Sequence, residues 1–378
     1  MKHDMASIAR RFRIRGEPSE ITPVPTGHIH DTYVLTARDG QRTVRYVLQR
    51  INHTVFTDPP RMMENIVRIT EHIRDKLQVS DPASAHRQLQ VIRTRDGQAC
   101  CRDAAGNFWR MYSFIEDAAT YDMLTSTPAA YEAARMFGWF QKMLLDLPAP
   151  PLHETIPGFH DTPRRLAAFQ EMLRTDPCNR AAAAKPEIDF ILDNAALCHV
   201  LAEVVTSGEI PIRIAHNDAK INNVMLDAGT GGGVCIIDLD TVMPGLSMHD
   251  FGDLVRTATC PAAEDERDLS KVAVEVSLFD ALARGFAKGT GGFLTPAEKS
   301  HLVFGAKLIT FEQLIRFLTD YLAGDVYYKV HRQGHNLDRC RTQMKLVQSI
   351  AEQEESLNGL VARAFQNGPA DTNGRDNR

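Results

Sequence analysis

The chain has 378 residues, 43% of them hydrophobic and 24% charged, with a formal charge of −5. That is a globular composition, long enough for two lobes with separate cores, and its acidic balance weighs against a nucleic-acid partner, which selects a basic footprint. No apolar run reaches the roughly 18 residues that a membrane span needs. The opening MKHDMASIARRFRIRG lacks the apolar stretch of a secretory signal, so a cytoplasmic protein with no membrane partner is expected. The seven cysteines are irregularly spaced and include no Cys-x-x-Cys, which predicts reduced thiols rather than a disulfide framework or a zinc site.

In chain order, Asp31–Ala37 and Thr43–Ile51 read as strands joined by the turn Arg38-Asp39-Gly40-Gln41. Pro59–Leu77 follows as a helix, with Met63, Ile66, Val67, Ile69, Ile73 and Leu77 at helical spacing and two prolines at its start. Leu89–Thr94 and Phe108–Ile115 are two further strands. After about Glu116 the pattern turns helical, in Tyr131–Leu145, Ile188–Val205 and Leu302–Leu322. A β island at Ile212–Ala215, Val224–Leu226 and Val234–Ile237 interrupts the helices, and the polar tail 367–378 reads as disordered. The predicted organisation is a β-rich lobe over 1–115 and a larger helical lobe over 116–366, and a cleft between lobes is a favoured place for a ligand.

The segment His216-Asn217-Asp218-Ala219-Lys220-Ile221-Asn222-Asn223 fits His-x-Asp-x-x-x-x-Asn between two apolar strands. Phosphoryl transfer accounts for this set. One carboxylate accepts a hydrogen bond from the attacking hydroxyl, and an amide oxygen a few residues on holds magnesium. Asp218 is therefore the candidate catalytic residue, Asn223 a candidate metal ligand, and His216 a brace for the loop. Fifteen residues later, Cys235-Ile236-Ile237-Asp238-Leu239-Asp240 ends an apolar strand in an acidic pair. Magnesium prefers carboxylate and phosphate oxygens. Asp238 is the first candidate ligand, and Asp240 could join it directly or through water. Alone, either motif would be an ordinary turn; in this order, a hairpin apart, they specify phosphoryl transfer.

HNDAKINNVMLD followed by IIDLDTVMPG resembles the catalytic and metal loops of the aminoglycoside phosphotransferase and choline kinase superfamily. TGHIHDTYVL, YVLQRINHTVF, the DFGD after IDLDTVMPG, and FLTDYLAGDVYYKV resemble its N-acetylhexosamine 1-kinase branch, over about residues 25 to 330. The resemblance implies an α+β, protein-kinase-like two-lobe fold, ATP and Mg2+ as cofactors, and a small-molecule sugar phosphorylated at its anomeric hydroxyl. It implies that Thr26–Asp31, with Gly27 and His28, covers the phosphates, and that Met111–Ile115, with Tyr112 and Ile115, binds adenine through backbone groups. It places Arg316 and Tyr327 against the sugar, beside Asp218.

Three features depart from the pattern or mimic it. The kinase strand lysine is replaced by Gln49 or Arg50, which point to opposite faces of one strand; Arg50 keeps the positive charge and is expected to serve the phosphates, and Glu64 is either its ion-pair partner or a solvated helix residue. Asp250-Phe251-Gly252 spells the protein-kinase metal motif but follows the metal strand and opens a helical stretch, so Asp250 and Asp253 are expected to cap a helix or brace the catalytic loop. Gly229–Gly233 resembles a phosphate loop, yet no Lys-Ser/Thr follows it, and a hairpin turn is expected. Two competing functions are another small-molecule kinase of the superfamily, acting on an amino alcohol or aminoglycoside, and a nucleotide-binding pseudokinase.

Overall fold

The computed structural model describes residues 4–25, 29–123 and 126–366; the tail 367–378 lies outside them. The chain divides into two compact units. One comprises Met1–Ala118, Asp146–Pro157 and Val234–Met243, and the other Ala119–Leu145, Gly158–Gly233 and Pro244–Arg378.

The smaller unit is built on a five-stranded antiparallel sheet of β1 (Glu17–Pro23), β2 (Asp31–Asp39), β3 (Arg42–Ile51), β4 (Cys101–Arg102) and β5 (Phe108–Ser113), in the order β1-β2-β3-β5-β4. Helix α1 (Met5–Arg10) precedes it, and α2 (Pro59–Ser80) and α3 (Pro82–Ala85) follow β3. Asp39 pairs with Arg42, which leaves Gly40-Gln41 as a two-residue turn with Gly40 at φ 61°. Alternation gives the sheet two different faces. Leu35, Ala37, Tyr46, Leu48, Trp109 and Met111 bury one against Ile8 and Phe12. The cross-strand partners Gln49 and Arg110 stand on the other. Helix α2 begins where the Asp58 carboxylate accepts from the Arg61 N–H (3.2 Å), with Pro59 and Pro60 in its first turn.

Strand β1 has no counterpart in the sequence reading. Its EPSEITP is mostly exposed and contains two prolines, which a strand tolerates at a sheet edge, where β1 lies. The expected strand Leu89–Thr94 is reduced to isolated bridges from Val91 to Tyr112 and from Thr94 to Phe12.

The larger unit is helical: α4 (Thr127–Met143), α5 (Thr162–Thr175), α6 (Lys185–Asp193), α7 (Leu197–Thr206), α8 (Ser247–Ala258), α9 (Val276–Thr290), α10 (Pro296–Ser300), α11 (Leu302–Ala323), α12 (His335–Glu352) and α13 (Glu354–Gln366). Short strands β6 (Ala118–Ala119), β7 (Arg213–Ala215), β8 (Val224–Asp227), β9 (Gly233–Ile236) and β10 (Met243–Gly245) punctuate the chain. The single helix expected over Ile188–Val205 is in fact α6 and α7. The Asn194 side chain donates back to the Phe190 carbonyl (2.9 Å) and ends α6 there. Helix α11 supplies Phe311, Leu314, Ile315, Phe317 and Leu318 to the main core, which Phe169 of α5 and Ile191 of α6 complete. Helices α4 and α9 meet backbone to backbone: a Cβ on Gly285 would lie 2.1 Å from the Tyr131 carbonyl oxygen, and one on Gly289 2.1 Å from that of Arg135. Among the described residues no helix is long and apolar enough to cross a membrane.

Candidate active site

In the larger unit, β7 delivers the chain into the loop that carries Asp218. His216 is fully buried and packs edge-on against Phe137 and Phe140 of α4, at ring separations of 5.4 and 6.0 Å. Its Nδ1 accepts from the Asp218 N–H (3.3 Å). Asn217 adopts the left-handed conformation, φ 63°, an uncommon geometry for a non-glycine residue that the surroundings must hold in place. Asp250 of α8 supplies much of that hold. Its carboxylate accepts from the backbone N–H groups of His216 and Asn217 (both 2.8 Å) and from Gln141 Nε2 (2.6 Å). The DFG-like triplet thus braces the loop. Gly245 lies where a Cβ would be 2.3 Å from Asn217 Oδ1, so only glycine lets the chain pass.

The Asp218 carboxylate is partly exposed. Oδ1 meets Lys220 Nζ at 2.7 Å, and Asn223 Nδ2 donates to Oδ2 (3.2 Å) and to the Asp218 carbonyl (2.8 Å). Burial opposes ionisation of Asp218, but the Lys220 ammonium outweighs it and holds the carboxyl below the ordinary carboxylate range. Asn223 is buried, and because its Nδ2 turns to Asp218, its Oδ1 is the amide atom left to face another partner. A second layer lies behind the loop. His160 faces Glu312 Oε1 of α11 through Nδ1 (2.9 Å) and the Asn217 carbonyl through Nε2 (2.7 Å), and Glu312 Oε2 also accepts from Thr162 (2.7 Å).

In the smaller unit, Asp238 follows the end of β9 by two residues; it is exposed and takes φ 59°, so the backbone turns sharply there. Asp240 is buried. Arg110 grips both its oxygens, with Nη2 2.9 Å from Oδ2 and Nη1 against Oδ1, and His30 Nε2 meets Oδ2 as well. Burial opposes the charge on Asp240, yet Arg110 and His30 together hold its carboxyl well below the usual range. These contacts take up three of the roughly four lone-pair sites of the Asp240 carboxylate. Ligand atoms of His30, Asp238 and Asp240 all lie within 4.8 Å of one another. Two carboxylates are hard oxygen donors of the kind magnesium prefers.

Arg50 faces away from Arg110 and Asp240: its Nε donates to Asp31 Oδ2 (2.7 Å) and its Nη1 to Asn107 (3.2 Å). Gln49 is the residue on the Arg110 face, accepting from Arg110 Nε (2.9 Å) and donating to Thr32 (3.0 Å). On that face the positive charge is that of Arg110 on β5. Glu64 is no partner to it, and pairs instead with His153 (3.1 Å).

Gly27 and His28 lie outside the described residues. Tyr112 and Ile115 are buried at and just beyond the end of β5. The Met111 carbonyl and the Ser113 and Phe114 N–H groups of the expected hinge are paired with Ile92, Gln90 and Arg45. Arg316 and Tyr327 belong to one cluster of the larger unit. Arg316 donates to Gln313 Oε1 (3.2 Å) and stands 5.8 Å from the centre of the Tyr328 ring, while Tyr327 meets Tyr328 at 4.8 Å and is 57% exposed. Asp320 shapes that loop by accepting from the N–H groups of Val326, Tyr327 and Tyr328 (2.8–3.0 Å). The Gly229–Gly233 stretch is a turn folded on Asp227, whose Oδ1 accepts from the Gly229 (3.0 Å) and Thr230 (2.8 Å) N–H groups.

The sequence reading did not single out Arg110, Lys220 or the His160–Glu312 pair. Arg110 left a usable signal: a charged residue between Trp109 and Met111 in an otherwise apolar strand must be buried with a partner. The His160–Glu312 pair left none, since its members are far apart in sequence.

A family profile described as the phosphotransferase enzyme family matches residues 20–283. Among solved structures, an aminoglycoside phosphotransferase from Alicyclobacillus acidocaldarius superposes with a TM-score of 0.57 at 12% identity, over 95% of each chain. A choline kinase from Cryptosporidium parvum gives 0.55 at 13% identity, over 96% of this chain and 99% of that one. The AMP-bound complex of a spectinomycin phosphotransferase gives 0.51 at 13% identity, over 97% and 98%. At such identities the likeness is one of fold, and that fold is the expected α+β, two-lobe kinase-like one.

Proposed function

We propose that this chain, which belongs to the phosphotransferase enzyme family, uses ATP and magnesium to phosphorylate an alcohol oxygen of a small hydroxylated molecule. The observation that carries the reading is Asp218: a partly exposed carboxylate, held ionised by Lys220 at 2.7 Å, on a loop whose backbone is fixed by Asp250. Such a transfer asks the protein mainly to position groups and neutralise charge. Asp218 accepts the hydrogen bond of the attacking hydroxyl and points its lone pair. Asp238 is the carboxylate assigned to magnesium, and Asn223 Oδ1 is an oxygen donor of the same kind. Magnesium, when bound, offsets charge on the phosphates. Arg110 keeps Asp240 ionised and fixes the turn that presents Asp238.

The acceptor we favour is an N-acetylhexosamine, phosphorylated at the C1 hydroxyl. Support comes from the TGHIHDTYVL and FLTDYLAGDVYYKV motifs and from the Arg316–Tyr327–Tyr328 cluster. A guanidinium gives several donors to hydroxyls or an amide carbonyl, and an exposed ring can lie on a sugar face. A second reading takes an amino alcohol or an aminoglycoside as acceptor, following the names of the proteins that share the fold. Arg165 donates to the Phe159 carbonyl (3.0 Å) and Arg316 stands 5.6 Å from the centre of the Phe159 ring, so two positive charges occupy a region where a cationic acceptor needs negative ones.

Phosphorus NMR of reactions with ATP, magnesium and N-acetylhexosamines, choline or aminoglycosides identifies acceptor and phosphorylated atom together. A C1 phosphate ester is expected. A product from choline or an aminoglycoside alone selects the second reading, and ATP binding with no transfer to any acceptor selects the pseudokinase. Asp218→Asn is expected to lower kcat by about 10²–10⁴-fold with nucleotide affinity unchanged; undiminished turnover refutes the assignment.

A further inference from the structure

The His160–Glu312 pair has a geometry that packing alone does not require. Both imidazole nitrogens of His160 meet acceptors, Nδ1 a carboxylate oxygen at 2.9 Å and Nε2 a main-chain carbonyl at 2.7 Å. A neutral imidazole has one N–H and one lone pair, and would set that lone pair against one of these oxygens. With Glu312 ionised, the ring makes both contacts only when protonated on both nitrogens. The carbonyl belongs to Asn217, the left-handed residue that immediately precedes Asp218. The carboxylate belongs to α11, one turn before Arg316 on the same helix face.

We propose that His160 is a positioning residue for phosphoryl transfer: a doubly protonated imidazole, clamped by Glu312, that holds the Asn217 carbonyl and so fixes the direction of the Asp218 carboxylate. The proposal rests on the role given to Asp218 above. Asp250 secures the two N–H groups of His216 and Asn217, and His160 secures the carbonyl between Asn217 and Asp218. The peptide plane before Asp218 is then held at both edges, its carbonyl by His160 and its N–H by His216 Nδ1 (3.3 Å). Glu312 and Arg316 share α11, so the group that would touch the acceptor and the clamp on the loop move as one rigid piece.

The charged and titratable groups facing His160 are Glu312 on α11 and His249 and Asp253 on α8, with the His249 ring centre 4.9 Å away. Burial opposes the charge on His160, but Glu312, the Asn217 carbonyl and Asp253 outweigh it and raise the ring above its ordinary range. Glu312 is held down at about 2, against burial, chiefly by His160. His249 stays neutral, so the cation in this cluster of rings is His160.

The test has an activity arm and an arm independent of activity. His160→Phe is expected to lower kcat by about 10–100-fold, the scale of a catalytic group displaced by roughly an ångström, with the KM for ATP unchanged. His160→Gln, which keeps an N–H donor, recovers part of that loss. In Glu312→Gln the alkaline limb of the kcat–pH profile moves to lower pH, because the ring gives up its second proton more readily; a purely structural role would not move it. Independently, nitrogen-15 NMR of the histidine rings, assigned by the signal lost in His160→Gln, is expected to show His160 doubly protonated at pH 7 in the wild type and less so in Glu312→Gln. Wild-type kcat in His160→Phe, or a neutral His160 ring at pH 7, overturns the proposal. A wild-type protein that transfers phosphate to no acceptor defeats the function instead, and the NMR arm still decides the state of the ring.

Discussion

Replacing Arg110 by methionine tests how the smaller unit is held together at its acidic turn. Arg110 and Asp240 are 1% and 3% exposed, and the guanidinium engages both carboxylate oxygens while its Nε donates to Gln49. The variant leaves a buried carboxylate with His30 as its remaining side-chain partner and an amide oxygen on Gln49 without its donor. Removing one member of such a buried pair costs about 3–5 kcal/mol, because the other charge stays desolvated. With a urea m-value of about 2 kcal/mol per molar, the midpoint falls by about 1.5–2.5 M. The chain has two tryptophans, Trp109 in the smaller unit and Trp139 in the larger, so fluorescence in a Trp139→Phe background reports on β5 itself. The double variant Arg110→Met with Asp240→Leu removes both charges and is expected to regain most of the loss, since well-packed apolar replacements for a buried pair are often neutral. A loss below about 1 kcal/mol, less than one net hydrogen bond to a charge, or a double variant no more stable than the single one, refutes this account of the pair.

Two further perturbations probe the larger unit. Burial, together with His160, holds the ring of His249 down at about 3 against an ordinary 6.5, so between these values the unfolded chain takes up a proton here that the folded protein refuses. Stability therefore falls as pH drops from 6.5 toward 3, by about 1.4 kcal/mol per pH unit for this group. His249→Phe is expected to bring the urea midpoints at pH 7 and pH 5 closer together, and an unchanged gap counts against the reading. Gly245→Ala drives a Cβ to 2.3 Å from Asn217 Oδ1 and 3.0 Å from Ala215 Cβ. It is expected to cost about 1–3 kcal/mol and to lower kcat, and an unchanged melting curve with unchanged kcat contradicts it.

Elements with a regular period were legible in the sequence. The β2–β3 hairpin and α2 bury one face each and α11 is enclosed along its length, and burial writes its period or its apolar run into the residues. Edge strand β1 was not legible, because an exposed strand has no apolar face to advertise and its prolines read as breakers. The break between α6 and α7 depends on one Asn194 side chain turning back on Phe190, which hydrophobic spacing does not register. Asp218, Asn223 and Asp238 stand out as candidates in the sequence because phosphoryl transfer constrains residue types over a short stretch of chain. The groups that orient them were harder. Arg110 and Asp240 are 130 residues apart, and His160 and Glu312 are 152 apart. Between Gln49 and Arg50 the sequence leaves the choice open, because a strand shows which residues share a face, but not which face the rest of the protein will use.

Helices α4 and α9 touch through bare backbone at Gly285 and Gly289, and α4 carries the two phenylalanine rings beneath His216. Their spacing is therefore set by peptide groups, which cannot change rotamer, rather than by side chains that can. The floor under the HNDAKINN segment inherits that stiffness. A methyl group inserted at either glycine would work like a shim under one leg of a table, tilting a surface several residues away without touching anything on it.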